Sequence, residues 1–75
     1  MSNTDTQEIV NTQEMGRFLL DARRSRGLTQ PELMEVCGVD QANLSRIEKG
    51  ASGATLETYL RICRALGVDL FARSR

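Results

Sequence analysis

Seventy-five residues make one small domain, and a chain of that length buries only about 60% of the surface it exposes when unfolded, so association with a partner would add stability. It has no histidine and no apolar run near the roughly 18 residues of a membrane span, and its N-terminus is not basic and apolar as an export signal would be. The cytoplasm is therefore the expected compartment, and histidine-based catalysis or metal binding is excluded.

A formal charge of zero hides an asymmetry. Residues 1–14 carry Asp5, Glu8 and Glu14 with no base, which leaves ten Lys or Arg against seven acids, a net of +3, in residues 15–75. A mildly basic body suits a polyanionic partner only where specific contacts or a second copy reinforce the attraction. Cys37 and Cys63 each fall at an apolar helical position. With no CxxC pair they read as buried, inert thiols in a reducing compartment, and neither a metal nor a cofactor is expected.

In chain order, residues 1–10 are polar and without periodicity apart from Ile9 and Val10, and read as a flexible tail. Asn11 or Thr12 can cap a first helix, with Glu14 as its third residue if Asn11 is the cap. Met15, Phe18, Leu19 and Ala22 then recur at i, i+3, i+4 and i+7, the spacing of one core-facing stripe. Arg17, Arg24 and Arg26 lie on the opposite face, and Gly27 ends the helix.

A second helix opens with Thr29 and Glu32, spaced as a capping box in which hydroxyl and carboxylate each satisfy an orphan backbone N–H. Pro31 falls in the first turn, where no intrahelical N–H is required. Leu33, Val36 and Cys37 predict a single buried face, and Gly38 suits the left-handed backbone of a helix stop. Asp40 can then cap a third helix, with Leu44 and Ile47 on one side and Gln41, Ala42, Ser45, Arg46 and Lys49 around the rest. Two helices meeting at a tight glycine turn form a helix-turn-helix pattern, whose second member presents its N-terminal residues outward.

Residues 51–54, small throughout, read either as a loop whose amides approach a phosphate or as a plain spacer. Thr55 caps a last helix in which Leu56, Tyr59, Leu60, Ile62, Cys63 and Leu66 crowd one broad side, and Gly67 stops it. Asp69 could cap another, but the six residues after it are too few for a helix unaided. The loose alternation of residues 68–72 predicts a short strand, with a frayed end as the alternative. The chain thus divides into a tail (1–10), a helical body (11–67) and a C-terminal segment (68–75).

The body resembles the XRE, or phage-repressor (lambda-repressor-like), helix-turn-helix family. Gly16, Arg23, Gly27, Leu28, Thr29, Gln30 and Leu33 carry the first part of the match; Gly38, Val39, Leu44, Ser45, Glu48 and Gly50 carry the second. With the LRICRALGVDL segment, the match spans about residues 15–70. The resemblance implies an all-α, compact four-helix fold, an ion pair between Arg23 and Glu48, and a Gln30 that bonds a phosphate and braces Gln41. The ALGVDL ending resembles that of HipB-type antitoxins, where a C-terminal strand pairs with its symmetry mate; this implies a dimerisation role for residues 68–75. Two positions depart from the pattern. Met34 stands where alanine is usual, so it must bend aside or the helix crossing must widen. Asp40 replaces serine, which preserves the cap but places a carboxylate where a phosphate would be repelled.

The expected function is sequence-specific binding of double-stranded DNA by a homodimeric transcriptional regulator, most simply a repressor on a palindromic operator. Gln41, Ala42, Ser45 and Arg46 are the candidate base contacts: Gln pairs bidentately with adenine, Arg with guanine, and the alanine methyl can meet thymine. Gln30, Asn43 and Lys49 are the candidate phosphate contacts. The alternative is an antitoxin or protein-interaction module, with a toxin or other protein as main partner and the acidic tail folding on contact. An enzyme is not expected, because no nucleophile sits beside a base, no carboxylates pair in a cleft and no glycine-rich phosphate loop is present.

Overall fold

The computed structural model describes residues 6–75. Asn11 caps the first helix, α1 (Thr12–Ser25), its Oδ1 accepting the Glu14 N–H at 2.8 Å. The Glu14 carboxylate reaches past the cap to the Val10 N–H at 3.0 Å, fixing the chain entry as well as the helix end. Residues 1–5 of the expected tail lie outside the described residues. Residues 6–10 have no regular structure, yet Ile9 is half-buried against the core.

The second helix, α2 (Gln30–Cys37), carries both halves of the Thr29–Glu32 capping box, with Pro31 in the first turn. The two bonds from Thr29 hold the exposed Glu32 carboxyl below its usual range. Gly38, at φ +74°, closes α2 in the left-handed conformation. Val39 is buried beneath the turn, and Asp40 caps the third helix, α3 (Gln41–Glu48), by accepting the Asn43 N–H at 2.9 Å. The fourth helix, α4 (Leu56–Leu66), is capped by Thr55 and ends at Gly67. Four helices and no strand are present among the described residues.

Leu19, Leu33, Leu44, Ile62 and Cys63 form the centre of the core, with Met15, Ala22, Cys37, Val39, Ile47 and Leu66 around them. Both thiols are thus free and buried, and burial pushes Cys63 up. Met34 is half-buried against this core, which accommodates its bulk at the edge of the α2 packing.

Three expectations need correction. Val36 is 64% exposed. At roughly 100° per residue it lies behind Leu33 on the wheel, whereas Cys37 and Met34 lie ahead of it, and the core takes the latter side. On α4, Leu56 is 66% exposed and Leu60 also faces outward, because burial centres on Tyr59, Ile62, Cys63 and Leu66, a narrower stripe than the run of apolar residues. Residues 68–75 form neither strand nor helix: the Val68 N–H closes α4 on Cys63 O at 2.8 Å, and beyond it Leu70 and Phe71 are exposed. A lone extended segment has no second strand within its own chain to pair its backbone groups.

One glycine explains how α3 is seated. Gly16 is buried mid-helix in α1, and a Cβ there would overlap the Ile47 carbonyl and press on the Gly50 N–H. The Thr12 hydroxyl donates to Gly50 O at 2.9 Å, so the start of α1 is fastened to the end of α3. This close crossing is available only to a residue without a side chain.

Candidate nucleic-acid interface

Helix α3 owes its outward face to what lies behind it. Leu44 and Ile47 are buried, so the rest of an eight-residue helix must point away from the core. Gln41, Ala42 and Arg46 are exposed, and Ser45 is half-buried on the flank. The four candidate base contacts therefore share one helix, three of them exposed and the fourth half-buried. Lys49, the C-cap, is exposed at the far end. Asn43 is exposed as well, but its side-chain amide donates to Asp40 Oδ2 at 3.1 Å, so the cap already occupies part of it.

Arg23 and Glu48 form a two-bonded ion pair, with Nε to Oε2 at 2.6 Å and Nη2 to Oε1 at 2.9 Å. The remaining guanidinium arm donates to the Leu28 carbonyl at 2.8 Å, in the loop between α1 and α2. Arg23 is 8% exposed, a degree of burial an arginine tolerates only when its donors are matched. The bonds that Arg23 donates to Glu48 outweigh desolvation and raise the Arg23 pKa. For Glu48, burial alone would push the carboxyl up; hydrogen bonds from Arg23 and Gln30, with the charges of Arg23 and Arg24, prevail and hold it below the ordinary carboxylate range. One guanidinium thus joins α1, the α1–α2 loop and the end of α3.

Gln30, half-buried at the start of α2, extends this cluster toward the outer face. Its Nε2 donates to Glu48 Oε1 at 2.9 Å, and its Oε1 accepts from Gln41 Nε2 at 3.5 Å. The bracing of Gln41 by Gln30 is present, while the bond from Gln30 to Glu48 has no counterpart in the sequence reading. Gly16 was legible only as a matched position; a glycine inside a helix costs roughly 1 kcal/mol against alanine, and that anomaly was the available signal for a close crossing. Beside α3, a hollow of about 240 Å³ opens between Asn43, Arg46, Ser52, Gly53, Thr55 and Thr58. It places residues 51–54 next to the exposed Arg46.

Among the described residues no group of three or more His, Cys, Asp or Glu side chains could hold a metal ion, and no helix is long and apolar enough to cross a membrane.

Comparison with known proteins agrees with this geometry. The family model described as a helix-turn-helix domain matches residues 14–74. An uncharacterized HTH-type transcriptional regulator of Haemophilus influenzae is 32% identical over 77 residues, covering 91% of this chain and 79% of that protein. The antitoxin HipB of Escherichia coli is 28% identical over 64 residues, covering 85% and 73%. Among solved structures, the HipB–O4 20mer complex superposes with a TM-score of 0.83 at 26% identity, covering 92% of this chain and 97% of that one. The restriction-modification controller protein C.AhdI of Aeromonas hydrophila superposes with a TM-score of 0.72, also at 26% identity, covering 77% and 88%. With its turn at Gly38, its outward α3 and a family match along most of its length, the chain belongs to the helix-turn-helix family of transcriptional regulators, in the XRE, phage-repressor-like branch.

Proposed function

We propose that the chain acts in the cytoplasm as a homodimeric repressor that places α3 in the major groove of a palindromic operator. Gln41, Ala42, Ser45 and Arg46 contact base edges there, and Gln30, Asn43 and Lys49 contact phosphates. The observation that carries this reading is the outward face of α3: two buried apolar residues orient the helix, and Gln41 and Arg46, the side chains best suited to base readout, lie on the open side. The similarity to the HipB–O4 20mer complex supports it. The role is one of binding rather than turnover.

Selection of bound sequences from random duplexes tests the proposal directly. A dimer should recover two related half-sites about 34–36 Å apart, one helical turn. On the recovered duplex, Arg46→Ala should cost about 1–3 kcal/mol and relax the preference at one base pair. Lys49→Ala should weaken all sequences alike and reduce the salt slope by about one. No enrichment over random sequence would end the reading.

A second reading, that a protein partner is held as well, is favoured by a separate feature. A shallow apolar groove runs between Ile9, Val10, Met15, Leu56, Tyr59 and Leu70, with no residue of α3 in its lining. A structure of the HipA–HipB–O2–O3 complex is among those similar to this chain. Leu56→Ser, at an exposed residue of that groove, should leave operator affinity unchanged if the groove serves a protein partner.

A further inference from the structure

At the leading end of α3 this chain departs from its family by a charge: Asp40 stands where serine is usual. The side chain is exposed, with Oδ1 accepting the Asn43 N–H at 2.9 Å and Oδ2 accepting the Asn43 side-chain amide at 3.1 Å. Both oxygens are thereby held still, and each keeps a lone pair free for another donor. Among the described residues no Lys or Arg forms an ion pair with Asp40. Capping alone does not call for this residue, because asparagine or serine caps a helix as well without bringing a negative charge to a polyanion.

We infer that Asp40 is a specificity-determining residue that selects cytosine in the operator, accepting the N4 amino group at the base pair under the start of α3. This rests on the reading of α3 as the groove-binding helix, whose N-terminal residues meet the base edges. An ionised carboxylate only accepts. It repels phosphate oxygens, so the backbone contact that a serine hydroxyl could donate is closed to Asp40. In the major groove guanine shows the acceptors N7 and O6, and thymine shows O4 with a methyl group; both leave the carboxylate without a donor. Adenine offers its N6 amino group beside the acceptor N7, whereas cytosine offers an amino group alone. Cytosine is therefore the base that the carboxylate matches. The two bonds from Asn43 fix where the free lone pairs point, which confines the preference to one base pair.

The test uses the full chain and a set of duplexes, built on a sequence recovered by selection, that carry each of the four bases in turn at every position of one half-site. The parent should show one position at which cytosine binds about tenfold more tightly than thymine. Asp40→Ser keeps the cap but withdraws the acceptor, so its melting temperature should stay close to that of the parent while that ratio falls to about one. Asp40→Asn goes further. Its Oδ1 must remain on the Asn43 N–H to cap the helix, which leaves the NH2 group where Oδ2 stood, and a donor there should turn the preference toward the acceptors of thymine or guanine. Preferences at the other pairs should be unchanged in both variants. If both variants bound every duplex more tightly by one common factor, the carboxylate would only repel the backbone; that result overturns the inference and leaves the DNA reading standing. Variants that altered preference only at a pair where the parent does not favour cytosine would overturn it equally. Should selection enrich no sequence at all, the reading of α3 falls and the inference with it.

Discussion

The junction of α1 with α3 and the outer side of α4 are built on opposite principles. At the junction, Arg23, Glu48, Gln30, Gly16 and Thr12 define one geometry through directed bonds and a backbone approach that admits no side chain. The outer side of α4 and the segment that follows it offer Leu56, Leu60, Leu70 and Phe71, apolar and exposed, with no directed partner among them. Hydrogen bonds and ion pairs are strict about angle and distance, whereas apolar contact is tolerant of both. Direction is concentrated where a helix must be held at a fixed pose; area is left where association with another surface can stabilise a small domain.

The contrast is broken most sharply at Arg23. Removing one partner of a buried pair leaves the other uncompensated, so Arg23→Ala should cost about 3–5 kcal/mol in denaturant unfolding. Arg17 provides the control. Its ion pair with Asp21 at 3.4 Å is mostly exposed, and Arg17→Ala should move stability by no more than about 0.5 kcal/mol. Equal losses from the two would mean that burial gives the junction no special weight.

Gly16→Ala asks whether the close approach itself matters. The added methyl must push α3 away from α1, at a cost of about 1–3 kcal/mol, and operator affinity should fall more than stability alone explains because the pose of α3 changes. An alanine that left both unchanged would show the crossing to be slack.

Acid titration sharpens the same point. The folded-state pKa of Glu48 is depressed, so its contribution is fully present above the unfolded value, near 4.5, and is lost as pH falls through the lower folded value. Glu32, depressed by Thr29, acts in the same direction. Stability should therefore decline below about pH 4.5, and Glu48→Gln should flatten that decline without abolishing it. An unaltered acid slope in the variant would assign the decline to other carboxylates.

The smallest effect on folding belongs to the other region. Phe71 is 82% exposed, so Phe71→Ser should change unfolding of the single chain by about 0.5 kcal/mol or less while reducing self-association in sedimentation. Loss of folding stability instead would place Phe71 in the core of the single chain.

What could be read in advance was whatever depends on neighbours along the chain. The Thr29–Glu32 box, the Asp40 and Thr55 caps, the stops at Gly38 and Gly67, and the pairing of Arg23 with Glu48 all stand as expected, the last because matched motif positions carry spatial information that periodicity lacks. Periodicity misplaced Val36, Leu56 and Leu60 for one reason: an apolar stripe names a face, and the width of that face taken into the core depends on which neighbours arrive.

By itself, the sequence determined four helices with their starts and stops, the family, and the identity of the residues turned outward on α3, because caps, glycine stops and apolar spacing are local properties of a chain. Only the tertiary structure decided that Gln30 would meet Glu48, that Gly16 would lie under the Ile47 carbonyl, and that Leu56 and Leu60 on the apolar side of α4 would remain open. Those are contacts between residues distant in the chain, and their existence depends on how whole helices come to rest against one another.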